Sequence, residues 1–219
     1  MKNYLFISLL SFLTWQATAQ NVMLTSPAKY GVKLSAGYIT TAKESTMLIN
    51  ETGRTSQKIE FAGATTQYSA GIWGQKKFGW LYADGQICYS TYGMNYNLLR
   101  TNSDEVNTNT LSEKFHFVDV QVMGGLTYAG FRLGVGPVAH ILVDHQSDLT
   151  DVEFFSDKPR NISYGFSGAV GYDFDRISLD VRFDKAFRTI GDQLYYGMRQ
   201  SKFKETPDAI TFSVAYRLF

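Results

Sequence analysis

The chain is short of the residues that usually announce a chemistry. It has one cysteine, Cys88, in 219 residues, which excludes an internal disulfide and any cysteine-built metal centre. Charge of one sign is missing too. The formal net charge is +1 and falls to about zero without Lys2, so no polyanion is implied and nucleic acid is not expected as a partner. After residue 20 no apolar run approaches the roughly 20 residues of a membrane-spanning helix, and the mean hydropathy is slightly negative. Those absences describe a soluble secreted protein. What is present says otherwise.

The first residues are set apart. Lys2, the apolar run "YLFISLLSFLTW" and Ala17-Thr18-Ala19 have the form of a secretory signal peptide. Residues 1–19 are expected to be cleaved, leaving 20–219 as one domain. No cysteine lies near the cleavage site, so a lipid anchor is not expected.

The remainder repeats one pattern. Eight segments alternate apolar and polar residues with period two, the signature of strands with one apolar face. In "ISLDVRFD", Ile177, Leu179, Val181 and Phe183 oppose Ser178, Asp180, Arg182 and Asp184. The same alternation runs through "YGVKLSAGYI", "QYSAGIWGQ", "LYADGQICYSTYG", "FVDVQVMGGLTY", "FRLGVGPVAHI", "ISYGFSGAVGY" and "AITFSVAYRL". Short connections (a turn around Lys76-Lys77, "TYAG", "DFDR") alternate with long ones. That places all long loops at one end of an up-and-down barrel, as in transmembrane barrels. Aromatic residues gather at the ends of the apolar stripes, where interfacial girdles need them. The expectation is an all-β, closed, antiparallel, eight-stranded transmembrane barrel in the cell outer membrane, with both termini periplasmic. A lipocalin-like soluble barrel, apolar face inward, is the alternative.

Eight strands leave an interior just wide enough for side chains to fill it. Lys33, Arg132 and Arg182 share the polar face with Asp84, Asp119, Asp180 and Asp184. Unpaired charges there would be costly, so these residues are expected to form an ion-pair network that fills the lumen. Cys88 reads as a small packing residue on the same face, and Lys76 and Lys77 as a solvated turn.

On the phrases "GVKLSAGY", "FRLGVGPVAHILV", "LDVRFDKAFRTIG" and "ITFSVAYRLF", the chain resembles the small outer-membrane barrel family called PorT-like or outer-membrane protein β-barrel domain proteins. The resemblance implies a Gram-negative outer membrane with its lipids and lipopolysaccharide as surroundings. It also implies insertion by the barrel assembly machinery, and for some relatives a place in the type IX secretion complex. It implies no single shared activity, and no cofactor is expected. Outer-membrane proteins of this kind commonly end on an aromatic, and Phe219 looks like that assembly signal, one step out of phase with Ile210, Phe212, Val214, Tyr216 and Leu218.

Chemistry has few candidates. His116 faces outward, His140 inward, and His145 opens the third long loop. His145-Gln146-Ser147 has the spacing of a lipid A deacylase pair, with Asp144, Asp148 or Glu153 as orienting acid. A short motif in a polar loop arises by chance, so no enzyme is expected, and a lipid-modifying enzyme centred on His145 and Ser147 is the alternative. The acidic loop matches no calcium-loop spacing, and no metal is expected. The fourth loop gathers Tyr195, Tyr196, Met198, Arg199 and Phe203, types enriched at interfaces. That loop suits docking to a membrane protein complex.

Overall fold

The computed structural model describes residues 27–40, 45–49, 55–102, 105–148, 155–157, 161–186, 194–196, 199–200 and 208–219. The signal-peptide reading of residues 1–19 therefore lies outside the described residues, as do Glu153, Met198 and Phe203.

Alternation of apolar and polar side chains makes a strand with two chemically distinct faces, and eight such strands close on one another. They are β1 (Lys29–Thr40), β4 (Gln67–Phe78), β5 (Leu81–Asn102), β6 (Glu105–Tyr128), β7 (Phe131–Ser147), β9 (Ile162–Phe174), β10 (Ile177–Ala186) and β13 (Asp208–Arg217). Each pairs antiparallel with the ring strand before it and the ring strand after it. The circuit is completed by β1 with β13, where Leu34 lies opposite Val214. The result is a ring of eight strands. A ring leaves no unpaired edge among its members.

One end of the ring carries tight turns at Gly79–Trp80, Ala129–Gly130 and Asp175–Arg176. Ala129 and Gly130 both have positive φ, 48° and 89°, the pattern of a two-residue hairpin that follows the strand twist. The two ends of the ring's chain meet here as well, since the Leu218 N–H donates to the Tyr30 carbonyl at 2.8 Å. The first turn falls two residues beyond Lys76-Lys77. Those lysines complete the strand instead, pairing with Ala83 and Tyr82.

At the other end the long connections are built structure. β5 and β6 run on as a ribbon to Asn102 and Glu105 without a shift in register. A hairpin of β2 (Ser45–Ile49) and β3 (Thr55–Ala64) lies along the outer half of β5. β8 (Phe155–Asp157), β11 (Leu194–Tyr196) and β12 (Arg199–Gln200) form a separate three-stranded sheet. It joins the segment after β7 to the segment after β10, and Tyr195, Tyr196 and Arg199 lie on it.

Burial runs opposite to that of a water-soluble sheet over most of the ring. Outward side chains are apolar and bare: Leu34 is 63% exposed, Leu133 56% and Phe212 55%. Inward side chains are polar and enclosed, among them Gln121, Ser167, Thr211 and Ser213. In the outer part the pattern inverts. Phe61, Met94, Tyr96, Leu98, Phe115 and Phe117 form a buried apolar cluster, with Tyr92, Leu111 and Leu142 packed on it.

Candidate functional site

The inward face of the ring is where charge collects. Arg132 on β7 is 4% exposed and lies among three carboxylates. Its Nη2 donates to Asp180 Oδ1 at 2.6 Å, its Nε is 2.8 Å from Asp173 Oδ1, and its Nη1 is 3.7 Å from Asp84 Oδ2. Lys33 Nζ reaches the other oxygen of Asp180 at 3.2 Å. The Tyr82 ring lies 5.7 Å from the guanidinium, a cation–π contact on one side of the same charge. A guanidinium with fork geometry is suited to several carboxylates at once.

A second group sits further along the axis. Arg182 Nε donates to Asp184 Oδ2 at 2.9 Å and its Nη1 to Gln121 Oε1 at 2.8 Å. Ser167 donates to the same Asp184, and Gln86 to the same Gln121. His140 Nδ1 and Asp119 Oδ1 are 2.7 Å apart. The structure thus sets Lys33, Arg132, Asp84 and Asp180 in one cluster, Arg182 and Asp184 in another, and Asp119 against a histidine. Cys88 is buried on the same face.

Sequence reasoning missed the hub at the turn end. Asp173, assigned to a turn, is the penultimate residue of β9. It takes Lys77 Nζ at 2.7 Å, Ser178 Oγ at 2.7 Å and Lys29 Nζ at 4.0 Å besides Arg132. Lys77 is therefore an inward ion-pairing residue rather than a solvated turn. The signal was in the alternation itself: Asp173 has the parity of Gly171 and Ser167, both inward, and Lys77 that of Gln75.

His145 and Ser147 do not open a loop. They are the last inward residues of β7, beyond a bulge at which Phe117 pairs Leu142 and His116 pairs Asp144. A bulge re-aims the side chains that follow it. Glu113 on β6, fully enclosed, lies opposite Ser147. Its Oε1 accepts from Ser147 Oγ at 2.9 Å and is 3.6 Å from His145 Nε2. The Phe115 ring covers the imidazole at 4.6 Å. Of the acids considered from sequence, Glu153 lies outside the described residues, and Asp144 and Asp148 are engaged with backbone and serine groups. Asp144 accepts from the His145 backbone N–H at 2.9 Å. Asp148 accepts from the Ser112 hydroxyl at 2.7 Å and its N–H at 3.1 Å. Those two Ser112 bonds hold the Asp148 carboxyl below its usual range. His116 faces outward, stacked on Tyr89, whose hydroxyl is 2.8 Å from its Nδ1.

Phe219 lies past the end of β13, 85% exposed. Its backbone engages the ring, donating to the Tyr30 carbonyl and accepting from the Tyr30 N–H, both at 3.3 Å. Among the described residues no group of three or more His, Cys, Asp and Glu is placed to hold a metal ion.

No family model and no curated protein sequence matches the chain. Among solved structures it is similar to the NanC porin, at 8% identity and a TM-score of 0.30, over 85% of this chain and 100% of that one. It is also similar to the translocator domain of the autotransporter NalP from Neisseria meningitidis, at 12% identity and 0.34, over 96% and 97%.

Proposed function

We propose that the chain is an integral outer-membrane β-barrel with a filled lumen, acting structurally or as an accessory subunit through its outer end. One observation carries this reading. Along β5 the apolar phase reverses while the register does not. Ile87 and Tyr89 point outward and are exposed, with Gln86, Cys88 and Ser90 buried inside; beyond Ser90 the inward residues are Tyr92, Met94, Tyr96 and Leu98. The partner strand does the same: Val118, Val120 and Val122 face out beside inward Asp119 and Gln121, then Phe117 and Phe115 turn the apolar side in. A strand that stayed in water would keep its apolar side inward throughout. A strand that crosses from hydrocarbon into water must exchange the two faces at the boundary, because lipid rather than a protein core covers its apolar side. Each half-exposed Leu, Val or Phe gains on the order of 1 kcal/mol on moving from water to hydrocarbon.

The lipocalin-like alternative requires the opposite arrangement over the charged half of the ring. There Arg132 and Arg182 would have to point to solvent and Leu34 and Leu133 to a ligand cavity. Extraction from membranes only with detergent, and a gel mobility that changes on heating, support the membrane reading. Full solubility without detergent overturns it.

The outer end is the surface available to a partner. It consists of the β2–β3 hairpin laid on β5 and the small sheet of β8, β11 and β12, and the sequence there is rich in interface residue types around Tyr195, Tyr196 and Arg199. A role within a larger membrane complex, such as type IX secretion, rests on the family resemblance. Co-purification from intact membranes tests it. The His145–Glu113–Ser147 group is read here as packing at the outer rim, with no catalytic role. Phe219 is read as the assembly signal on the family resemblance, and its side chain is largely exposed. Its removal should lower membrane levels while leaving the melting temperature of assembled protein unchanged.

A further inference from the structure

A cavity of about 420 Å³ opens at the turn end of the ring, beside Phe219. Four cationic side chains line it: Lys29, Lys77, Arg176 and Arg217. The carboxylates near them are fewer: the side chains of Asp173 and Asp175, and the α-carboxylate of Phe219 in the same wall. Asp173 is shared among Lys77, Lys29 and Arg132, and Asp175, 3.3 Å from Arg217 Nη2, is almost fully exposed. Arg176 makes no ion pair among the described residues. The cavity wall therefore carries an excess of positive charge with hydrogen-bond donors to spare.

A second, independent feature borders the same space. Gln75 lines the cavity and is 2% exposed, yet neither its Nε2 nor its Oε1 has a hydrogen-bond partner among the described residues. A buried amide with both ends unsatisfied costs the desolvation of two polar atoms, and a ligand offering both an acceptor and a donor would remove that cost. A carboxylate offers acceptors only. A phosphomonoester or hydrogen phosphate near pH 7 carries one to two negative charges and, in its protonated fraction, a P–OH donor. Guanidinium forks match its oxygens.

We propose that this cavity binds a phosphomonoester group, held by Arg176, Arg217 and Lys29 and hydrogen-bonded at both ends of the Gln75 amide. The group can arrive as free phosphate or as the headgroup of a phosphomonoester lipid in the adjoining leaflet. The lipid source rests on the membrane reading above, and the free-ion source does not.

The test is titration of the full-length protein in an uncharged maltoside detergent, followed by phosphorus-31 NMR or calorimetry. Sodium phosphate and dihexanoyl phosphatidic acid are the two probes, with sodium acetate as competitor. Saturable binding at one site per chain is expected, weakened at least five-fold in Arg176→Gln and in Gln75→Leu, and unaffected by equimolar acetate. Tighter binding of the lipid assigns the headgroup as the source; equal or weaker binding assigns free phosphate. Absence of saturable binding of both probes overturns the proposal, as do unchanged affinity in Arg176→Gln or equal displacement by acetate. Arg176 sits in an exposed turn, so its variant carries the test if Gln75→Leu does not fold. Heat-modifiable mobility of the unliganded protein reports the membrane fold separately.

Discussion

Arg132 and Asp180 join across an intervening strand, 2.6 Å apart, and they do so over Gly171. Arg132 on β7 is the register partner of Gly171 on β9, and Gly171 is the partner of Asp180 on β10. A Cβ at position 171 would collide with Asp180 Oδ1 and lie 2.9 Å from Arg132 Nη2. The ion pair occupies the space a side chain on the middle strand would take.

Gly171→Ala should therefore destabilise the protein by roughly 1–3 kcal/mol, the usual cost of overpacking. Gly168, whose Cβ would meet nothing within 4 Å, supplies the control, and Gly168→Ala should be neutral. Thermal or urea unfolding in detergent, read by gel mobility, compares the two. Equal stability of both variants would contradict the packing assigned to the pair.

Arg132→Met should be more damaging than either glycine change. It leaves Asp84, Asp173 and Asp180 without their shared cation, and breaking a buried pair from one side costs roughly 3–5 kcal/mol. Adding Asp180→Asn to the same chain should recover part of the loss. A double variant no more stable than the single one would mean that the two residues do not act as a pair.

At the outer rim, the Asp148 carboxyl is held low by the Ser112 hydroxyl and N–H. The sign follows. A carboxyl whose folded pKa is depressed contributes stability that is present above its unfolded value, near 3.9, and that is lost as pH falls through the folded value. Ser112→Ala should raise the Asp148 titration midpoint toward the ordinary carboxylate range in a carbon-13 NMR titration. An unmoved midpoint would refute the assignment.

His145→Ala and Ser147→Ala should leave lipid A unchanged by mass spectrometry when the protein is expressed in a Gram-negative host. A deacylated species that appears with the wild type and disappears in both variants would establish the enzymatic alternative, with Glu113 as the carboxylate. Glu113→Gln, which keeps the shape and removes the charge, would then abolish it as well.

The ring and its inward charges were legible because one physical rule governs them. In "ISLDVRFD" every second residue is apolar, and the structure sets Leu179 and Val181 outward with Asp180 and Arg182 enclosed. The same rule concealed the outer half of β5 and β6. Asn95 and Asn97 on one side with Tyr96 and Leu98 on the other also alternate, but with the apolar side reversed. A search for a continuous stripe ends at Gly93 and reads the rest as loop. Asp173 was lost for a different reason: a carboxylate two residues before a turn looks solvated until Lys77 and Arg132 are brought to it from distant strands. Glu113 became visible only through the β6–β7 register, which no local pattern encodes.

The claim on which the rest depends is that the apolar outer face of the ring meets hydrocarbon. Single cysteines placed along β10 in a Cys88→Ser background, spin-labelled and reconstituted into vesicles, test it directly. At Leu179, Val181 and Phe183 the label should collide readily with oxygen and little with an aqueous nickel chelate. At Ser178 and Arg182 it should collide poorly with both. High nickel accessibility at Leu179, Val181 and Phe183 would place that face in water and contradict the account.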